Sequence, residues 1–248
     1  MSDNSAERSL NAAVDAAGDG RVAGRPGSTF MELLAPEVRS ALIECSTLQI
    51  LPRRHVLFSE GDGRSNVYVL RSGRVKLSRR SVTGTEVITA LCGPGEHVGF
   101  SGLSHGGVRL HTAQVVEAGE ACVLSEDDFR TLLRTHPSAA MAVIEALRNR
   151  LVSVTDALTD MVSEDVPSRL VRLLRRLARS NGDRRDGQCV VDVRLTHQEL
   201  ANMIGARRQT VTTAINDLHR NGVLLRDQHL IVVRDPIGAG GPQASVRS

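Results

Sequence analysis

Between Thr196 and Thr213 the sequence T-H-Q-E-L-A-N-M-I-G-A-R-R-Q-T-V-T-T sets two short amphipathic segments either side of a glycine. Thr196 followed three residues later by Glu199 is a capping-box pattern, in which hydroxyl and carboxylate satisfy backbone N–H groups reciprocally. Leu200, Ala201 and Ile204 give the first segment one apolar face, and Gly205 stands where a helix-ending turn needs φ > 0. The second segment runs R-Q-T-V-T-T-A-I-N-D-L. Its Val211, Ile215 and Leu218 fall on one side, and Arg208, Gln209, Thr212 and Thr213 on the other. Gln can bond an adenine edge twice and Arg a guanine edge twice. Arg207 or Arg208, Gln209 and Thr212 or Thr213 are therefore candidate readers of bases. Thr196, His197, Arg220 and Arg226 are placed for phosphates, which position a protein on a duplex without specifying sequence.

Elements on both sides must hold these residues in place. Asn221-Gly222 ends the second helix, and Gly222 to Val233 reads as two short strands about Asp227-Gln228, a wing. Two short helices, a Gly turn and a wing make a winged helix-turn-helix, whose second helix enters the major groove. Upstream, Cys189 to Leu195 alternates as a strand. Before it, Leu170, Leu173, Leu174 and Leu177 face inward among Arg169, Arg172, Arg175, Arg176 and Arg179, in a helix that starts after a hinge at Asp165-Val166-Pro167. His136-Pro137 opens a long helix with a heptad seam: Ile144, Leu147, Leu151, Val154, Leu158 and Met161 recur at gaps of three and four. A 3.5-residue period kept over nearly three heptads predicts a seam facing a partner helix, most simply in a parallel dimer.

The N-terminal half has a different texture. Thr29 to Ser46 has a helical pattern broken by Pro36. From Leu48 to about Ser125, short β-rich runs alternate with Gly turns: 55–58, 66–71, 74–79, 86–91, 112–117 and 121–125. Such spacing predicts a sandwich or barrel. N-V-Y-V-L-R-S-G-R-V-K-L (66–77) reads as two strands joined in a hairpin at Ser72-Gly73. Ser125 is placed as the cap of the next helix.

At 248 residues, two domains are expected. Aromatics are 2%, so the core is built mainly from Leu, Val, Ile and Ala; a net charge of +3 leaves the placement of arginines to decide any polyanion binding. Cys45, Cys92, Cys122 and Cys189 form no C-x-x-C pair and read as isolated buried thiols. No nucleophile–base constellation, phosphate loop or metal motif is present, so an enzyme is not expected. The first 28 residues lack a signal peptide's apolar stretch, and no apolar run suits a membrane helix, so a cytoplasmic protein is expected.

The order of these parts resembles the Crp/Fnr family of bacterial transcription regulators. The resemblance covers about Leu33 to Asp235. It rests on V-Y-V-L-R-S-G-R-V-K-L (67–77), G-E-H-V-G (95–99), H-T-A-Q-V (111–115), L-S-E-D-D-F (124–129), E-D-V-P-S-R-L (164–170) and T-H-Q-E-L-A-N-M-I-G-A-R-R-Q-T-V (196–211). It implies an α+β fold. A disordered arm (1–28) precedes a cyclic-nucleotide-binding-like jelly-roll sensor, or β-roll (29–136). A dimerisation helix and hinge (137–165), a winged helix-turn-helix (166–236) and a flexible tail (237–248) follow. It also implies palindromic double-stranded DNA, a second copy of the chain and RNA polymerase as partners. Against the family's R-E-T-V-S-R stretch, Arg208 and Thr210 match, which adds Thr210 to the DNA-binding set; Gln209 replaces Glu and Thr213 replaces the second Arg.

In cyclic-nucleotide-binding members the cassette after G-E-x-x-G carries a Glu for the ribose and an Arg for the cyclic phosphate. Here Phe100 and His111 fall at those places, so the standard cyclic-AMP grip is not expected. A repurposed pocket would draw on Gly99, Phe100, Ser101, Arg109, His111 and Thr112. Thr155 of the dimer helix falls where such members touch the purine. An N-terminus without cysteines implies no iron–sulfur cluster. A haem-linked member would find its ligands among Cys92, His97, His105 and His111.

Overall fold

A computed structural model describes residues 28–63, 66–100, 107–180, 184–185, 188–191, 193–227 and 230–234. Apart from Ser28, the expected arm lies outside the described residues, as do the tail at 237–248 and Gln228 of the wing turn. Two short helices come first, α1 (Phe30–Leu33) and α2 (Pro36–Glu44). Thr29 and Glu32 close a capping box on α1, and Pro36 takes the first position of α2, where its missing N–H costs no helical bond.

Eight strands follow: β1 (Thr47–Leu51), β2 (Val56–Phe58), β3 (Val67–Leu70), β4 (Arg74–Arg80), β5 (Glu86–Cys92), β6 (His97–Val98), β7 (Thr112–Glu117) and β8 (Gly119–Leu124). They build two antiparallel sheets, in the orders β1-β8-β3-β6 and β2-β7-β4-β5. Side chains alternate across a strand, and β3 uses both faces. Tyr68 and Leu70 join the core between the sheets with Val75, Leu77, Val115 and Val123. Val67 and Val69 join a second cluster with Phe30, Leu42, Phe129 and Ala142 of the helices. All four residues of β3 are therefore buried.

The hairpin expected at Ser72-Gly73 does not form. β3 pairs with β8 and β6, whereas β4 pairs with β5 and β7. The turn instead carries the chain from one sheet to the other. Gly73 has φ +76°, and a Cβ there would lie 2.6 Å from the Glu117 carbonyl oxygen. A Gly turn reports a sharp reversal; it does not report which strands pair. The consecutive hairpin is β4–β5, closed by Ser81 N–H donating to the Thr85 carbonyl (2.9 Å). Strands β1 and β6 were not among the expected runs. Leu48 and Ile50 of β1 point outward, so its burial pattern is weak, and β6 has two residues.

Helix α3 (Glu126–Thr135) starts at the Ser125 cap, whose hydroxyl accepts from Asp128 N–H (3.1 Å). The long helix α4 (Pro137–Ser163) buries Ala139 and Ala142 against the β-roll. The break after it is confined to Glu164 and Asp165. Asp165 accepts from Ser168 N–H (2.9 Å) and so starts α5 (Val166–Ser180), which places Pro167 inside a first turn rather than in the hinge. Strands β9 (Arg184–Arg185) and β10 (Gln188–Val191), helices α6 (His197–Ile204) and α7 (Arg208–Arg220), and strands β11 (Leu224–Asp227) and β12 (Leu230–Arg234) complete the head. Its core gathers Leu170, Leu173, Leu174, Leu177, Leu200, Ile204, Val211, Ile215 and Leu224. Among the described residues no helix is long and apolar enough to cross a membrane.

Candidate nucleic-acid interface

The turn between α6 and α7 is fixed from three sides. At its start, Thr196 N–H donates to Glu199 Oε2 (2.8 Å) and Glu199 N–H donates to Thr196 Oγ1 (3.1 Å), the reciprocal box read in the sequence. At its end, Gly205 adopts φ 63°, ψ 41°, the left-handed region favoured by glycine. From behind, Arg169 of α5 donates to the Ile204 carbonyl (3.0 Å), one of the acceptors a helix end leaves open.

That frame presents α7. Val211, Ala214 and Ile215 are buried beneath it, whereas Arg207, Arg208, Gln209, Thr210, Thr213 and Asn216 are exposed and Thr212 is half-buried. Arg207, Arg208, Gln209, Thr212 and Thr213 line one open cleft. Among the described residues, the side chains of Arg207, Arg208, Gln209, Thr210 and Thr213 have no internal hydrogen bond or ion pair. Asn216 continues the line of Gln209, Thr212 and Thr213 one turn further. It is not among the candidate readers named from the sequence, although its seven-residue spacing from Gln209 marks the same face.

The residues assigned to phosphates divide. The Thr196 hydroxyl also donates to Glu199 Oε2 (2.9 Å), so it serves the cap and is not available to a backbone phosphate. His197 Nδ1 lies 2.9 Å from Thr212 Oγ1, and that oxygen also contacts the Arg208 carbonyl at 3.0 Å. The contact with His197 ties the reading helix to the start of α6. Arg220 pairs with Asp217 (2.6 Å) and sits twelve residues beyond Arg208, about 18 Å along the helix. The side chain of Arg226 lies outside the described residues.

Arg172 and Arg176 of α5 serve the chain itself. Arg176 meets the buried Asp160 of α4 at 2.5 Å, and Arg172 meets Asp160 and Glu164 at 3.4 and 2.5 Å. Arg150 likewise leaves the solvent face, its guanidinium 3.1 Å from Cys92 Sγ.

The proposed effector residues that the structure describes are engaged by contacts within the chain, and Thr155 among them is exposed. Arg109 is 1% exposed, donates to the Gly99 and Asn66 carbonyls, and lies 4.2 Å above the Phe58 ring. Phe100 stacks on His97 (3.6 Å between centroids) and packs against Phe30 and Phe129. Thr112 Oγ1 accepts from Glu60 N–H (3.0 Å), and Thr155 on α4 donates to the Leu151 carbonyl (2.9 Å). His111 is half-buried, and desolvation, then Arg150 and Arg79, hold its imidazole below the ordinary range. Ser101 and His105 lie outside the described residues. Position 100, where the resemblance implies a carboxylate, holds an aromatic ring packed on His97, Phe30 and Phe129.

His97 is 3% exposed and burial pushes its pKa well down; neither ring nitrogen has a partner among the described residues. Desolvation pushes the Cys92 thiol up to about 12, so it is a packed group and not a reactive one. Cys122 is buried too, but Cys45 is exposed, which corrects the reading of all four thiols as buried. The side chain of Cys189 lies outside the described residues. Among the described residues no His/Cys/Asp/Glu cluster suits a metal ion.

A jelly-roll domain, a long helix and a capped helix-turn-helix with a wing define a DNA-binding regulator of the sensor-plus-head type. Residues 48–136 match the cyclic nucleotide-binding domain family and residues 168–238 the Crp-like helix-turn-helix domain family. The chain belongs to the Crp/Fnr family of transcription regulators. It is 30% identical over 182 residues to the CRP-like cAMP-activated global transcriptional regulator of Mycobacterium tuberculosis, covering 73% of this chain and 81% of that one. It is 27% identical over 215 residues to the global nitrogen regulator of a Synechocystis species, covering 86% and 93%. Among solved structures it resembles a CooA variant from Carboxydothermus hydrogenoformans, with a TM-score of 0.68 and 21% identity over 84% of this chain and 92% of that one.

Proposed function

We propose that two copies of this chain pair along α4 and present their α7 helices to the two halves of a palindromic DNA site. The observation that carries this reading is the face of α7. Five side chains able to hydrogen-bond base edges line one cleft, while the opposite face is buried. Arg207, Arg208, Gln209, Thr212 and Thr213 read bases in this account, with Thr210 and Asn216 beside them. His197 and Arg220 meet the backbone.

Pairing is supported by the seam. Ile144, Leu147, Leu151, Val154, Leu158 and Met161 are between 37% and 67% exposed in the single chain. An apolar stripe of that length on one helix needs a partner. Family membership supports the cytoplasm as the compartment and RNA polymerase as the downstream partner.

The signal enters through the β-roll, by a chemistry other than the standard cyclic-AMP grip. Arg109 is already bound to two backbone carbonyls, and Phe100 and His111 stand where the family uses Glu and Arg. The M. tuberculosis relative is named cAMP-activated, which makes cyclic AMP the effector to test first. Cyclic AMP and cyclic GMP at physiological concentration are expected to leave DNA affinity unchanged; a clear rise would contradict this part. The reading surface is tested by fluorescence anisotropy on the protein's own promoter DNA. Replacing Arg208 and Gln209 by Ala should lower specific affinity about 100-fold or more, given ~1–3 kcal/mol per bidentate base contact. Sedimentation should show the dimer unchanged.

A further inference from the structure

We propose that Glu86 is a positioning residue for DNA binding, which clamps the head to the β4–β5 hairpin of the β-roll and so sets where α7 points. Glu86 opens β5, 116 residues from its partner on the head. One carboxylate oxygen takes Lys76 Nζ at 2.9 Å, and the other accepts from Asn202 Nδ2 at 2.9 Å. Asn202 lies on α6 and its carbonyl oxygen accepts from Gln198 Nε2 (2.8 Å). The result is a chain of polar contacts, Lys76–Glu86–Asn202–Gln198, that runs from the β-roll into the helix bearing the reading turn. Beside it, Leu91 of the same strand packs against the head's apolar core.

Lys76 and Asn202 are both buried in this junction. Removing the carboxylate leaves each with an unmet polar group, the more costly half of breaking a buried contact. A further attachment of the head, Asp160 and Glu164 to Arg172 and Arg176, spans only the two-residue break at the end of α4. Glu86 is a charged link between the head and the sensor sheet.

The hairpin does not cover the reading face, since Arg207, Arg208, Gln209 and Thr213 remain exposed beside it. The clamp acts by orientation, not by blocking. A dimer needs its two reading helices about one helical turn of DNA apart, ~34 Å. A head that swings about Glu164 and Asp165 meets that spacing in only a fraction of its orientations, and apparent affinity falls by that fraction.

This inference rests on the DNA-reading assignment, and the test separates the two. Full-length wild type, E86A, E86Q, N202A and the E86A/N202A double variant are titrated against two duplexes, one with both half-sites and one with a single half-site. E86A and N202A should each bind the two-half-site duplex about tenfold more weakly, the loss expected when about a tenth of dimers hold both heads at the required spacing. Their affinity for the single half-site should stay within about twofold of wild type, since the reading chemistry is untouched. The double variant should be no worse than either single one, because both break one contact. E86Q, which keeps an acceptor for Asn202, should recover much of the loss. Unchanged binding of the long duplex by E86A overturns the clamp, and tighter binding overturns its sign. An equal loss on both duplexes means a damaged head and overturns it as well; thermal unfolding of each variant shows that cause directly. Absence of sequence preference in the wild type removes the DNA reading itself, and the clamp with it.

Discussion

On α7, Arg207 and Arg208 are exposed and find no partner among the described residues, while in the β-roll Arg109 lies buried on two backbone carbonyls and a phenyl ring. Two hydroxyls show the same contrast: Thr213 is open, whereas Thr112 accepts from the Glu60 N–H. Polar groups kept exposed and unpaired on a rigid, capped frame are positioned for something outside the chain. Polar groups satisfied within the chain hold the fold. The same residue types therefore mark a recognition surface in one region and a structural one in the other.

Four substitutions sharpen that contrast. The largest effect is expected at the seam, which serves both regions. Leu151→Asp sets a carboxylate on an interface meant to be apolar, where an unpaired buried charge is prohibitive. Sedimentation should show a monomer, and affinity for a two-half-site duplex should collapse. Next comes Arg109→Met, which leaves the Gly99 and Asn66 carbonyls without their donor. A loss of roughly 1–3 kcal/mol per unmet buried group is expected in chemical unfolding, with the DNA sequence preference unaltered. A changed preference would place Arg109 in the reading machinery and break the comparison.

A third effect is pH-dependent. Burial holds the folded-state pKa of His97 well below the ordinary value, so the native ring is neutral and the unfolded chain binds the extra proton. The stabilisation is fully present above the unfolded value, about 6.5, and is lost as pH falls below it, by up to about 1.4 kcal/mol per unit. The melting midpoint of the β-roll should drop between about pH 6.5 and pH 5, and His97→Phe should flatten the dependence. The smallest expected change is Thr196→Ala. Losing the cap should cost about 1 kcal/mol of head stability in denaturant melts and leave the salt dependence of DNA binding as it was.

Much of the head was legible because its signals are local. A capping box, a left-handed glycine and a three-four apolar rhythm each act within a few residues, and each found its element. The heptad rhythm of α4 was legible for the same reason. The β-roll was less so because its pairings join distant strands. Ser72-Gly73 looked like a hairpin, but β3 pairs with β8, some fifty residues on, and no local pattern encodes that choice. Arg109 stands two residues from the family's arginine position, and only the fold shows its guanidinium turned onto Gly99. The Glu86–Asn202 contact joins two unremarkable residues of separate domains. Asn216 was available from helical spacing alone.

The account turns on whether the open face of α7 reads base sequence. Anisotropy titrations of wild type and the Arg208→Ala/Gln209→Ala variant, on specific and scrambled duplexes across a salt series, test this directly. The account predicts that the wild type prefers the specific duplex at every salt concentration. The variant should bind both duplexes alike, with affinity still falling steeply as salt rises through the remaining phosphate contacts. A variant that keeps the wild-type preference would show that the bases are read from elsewhere on the molecule.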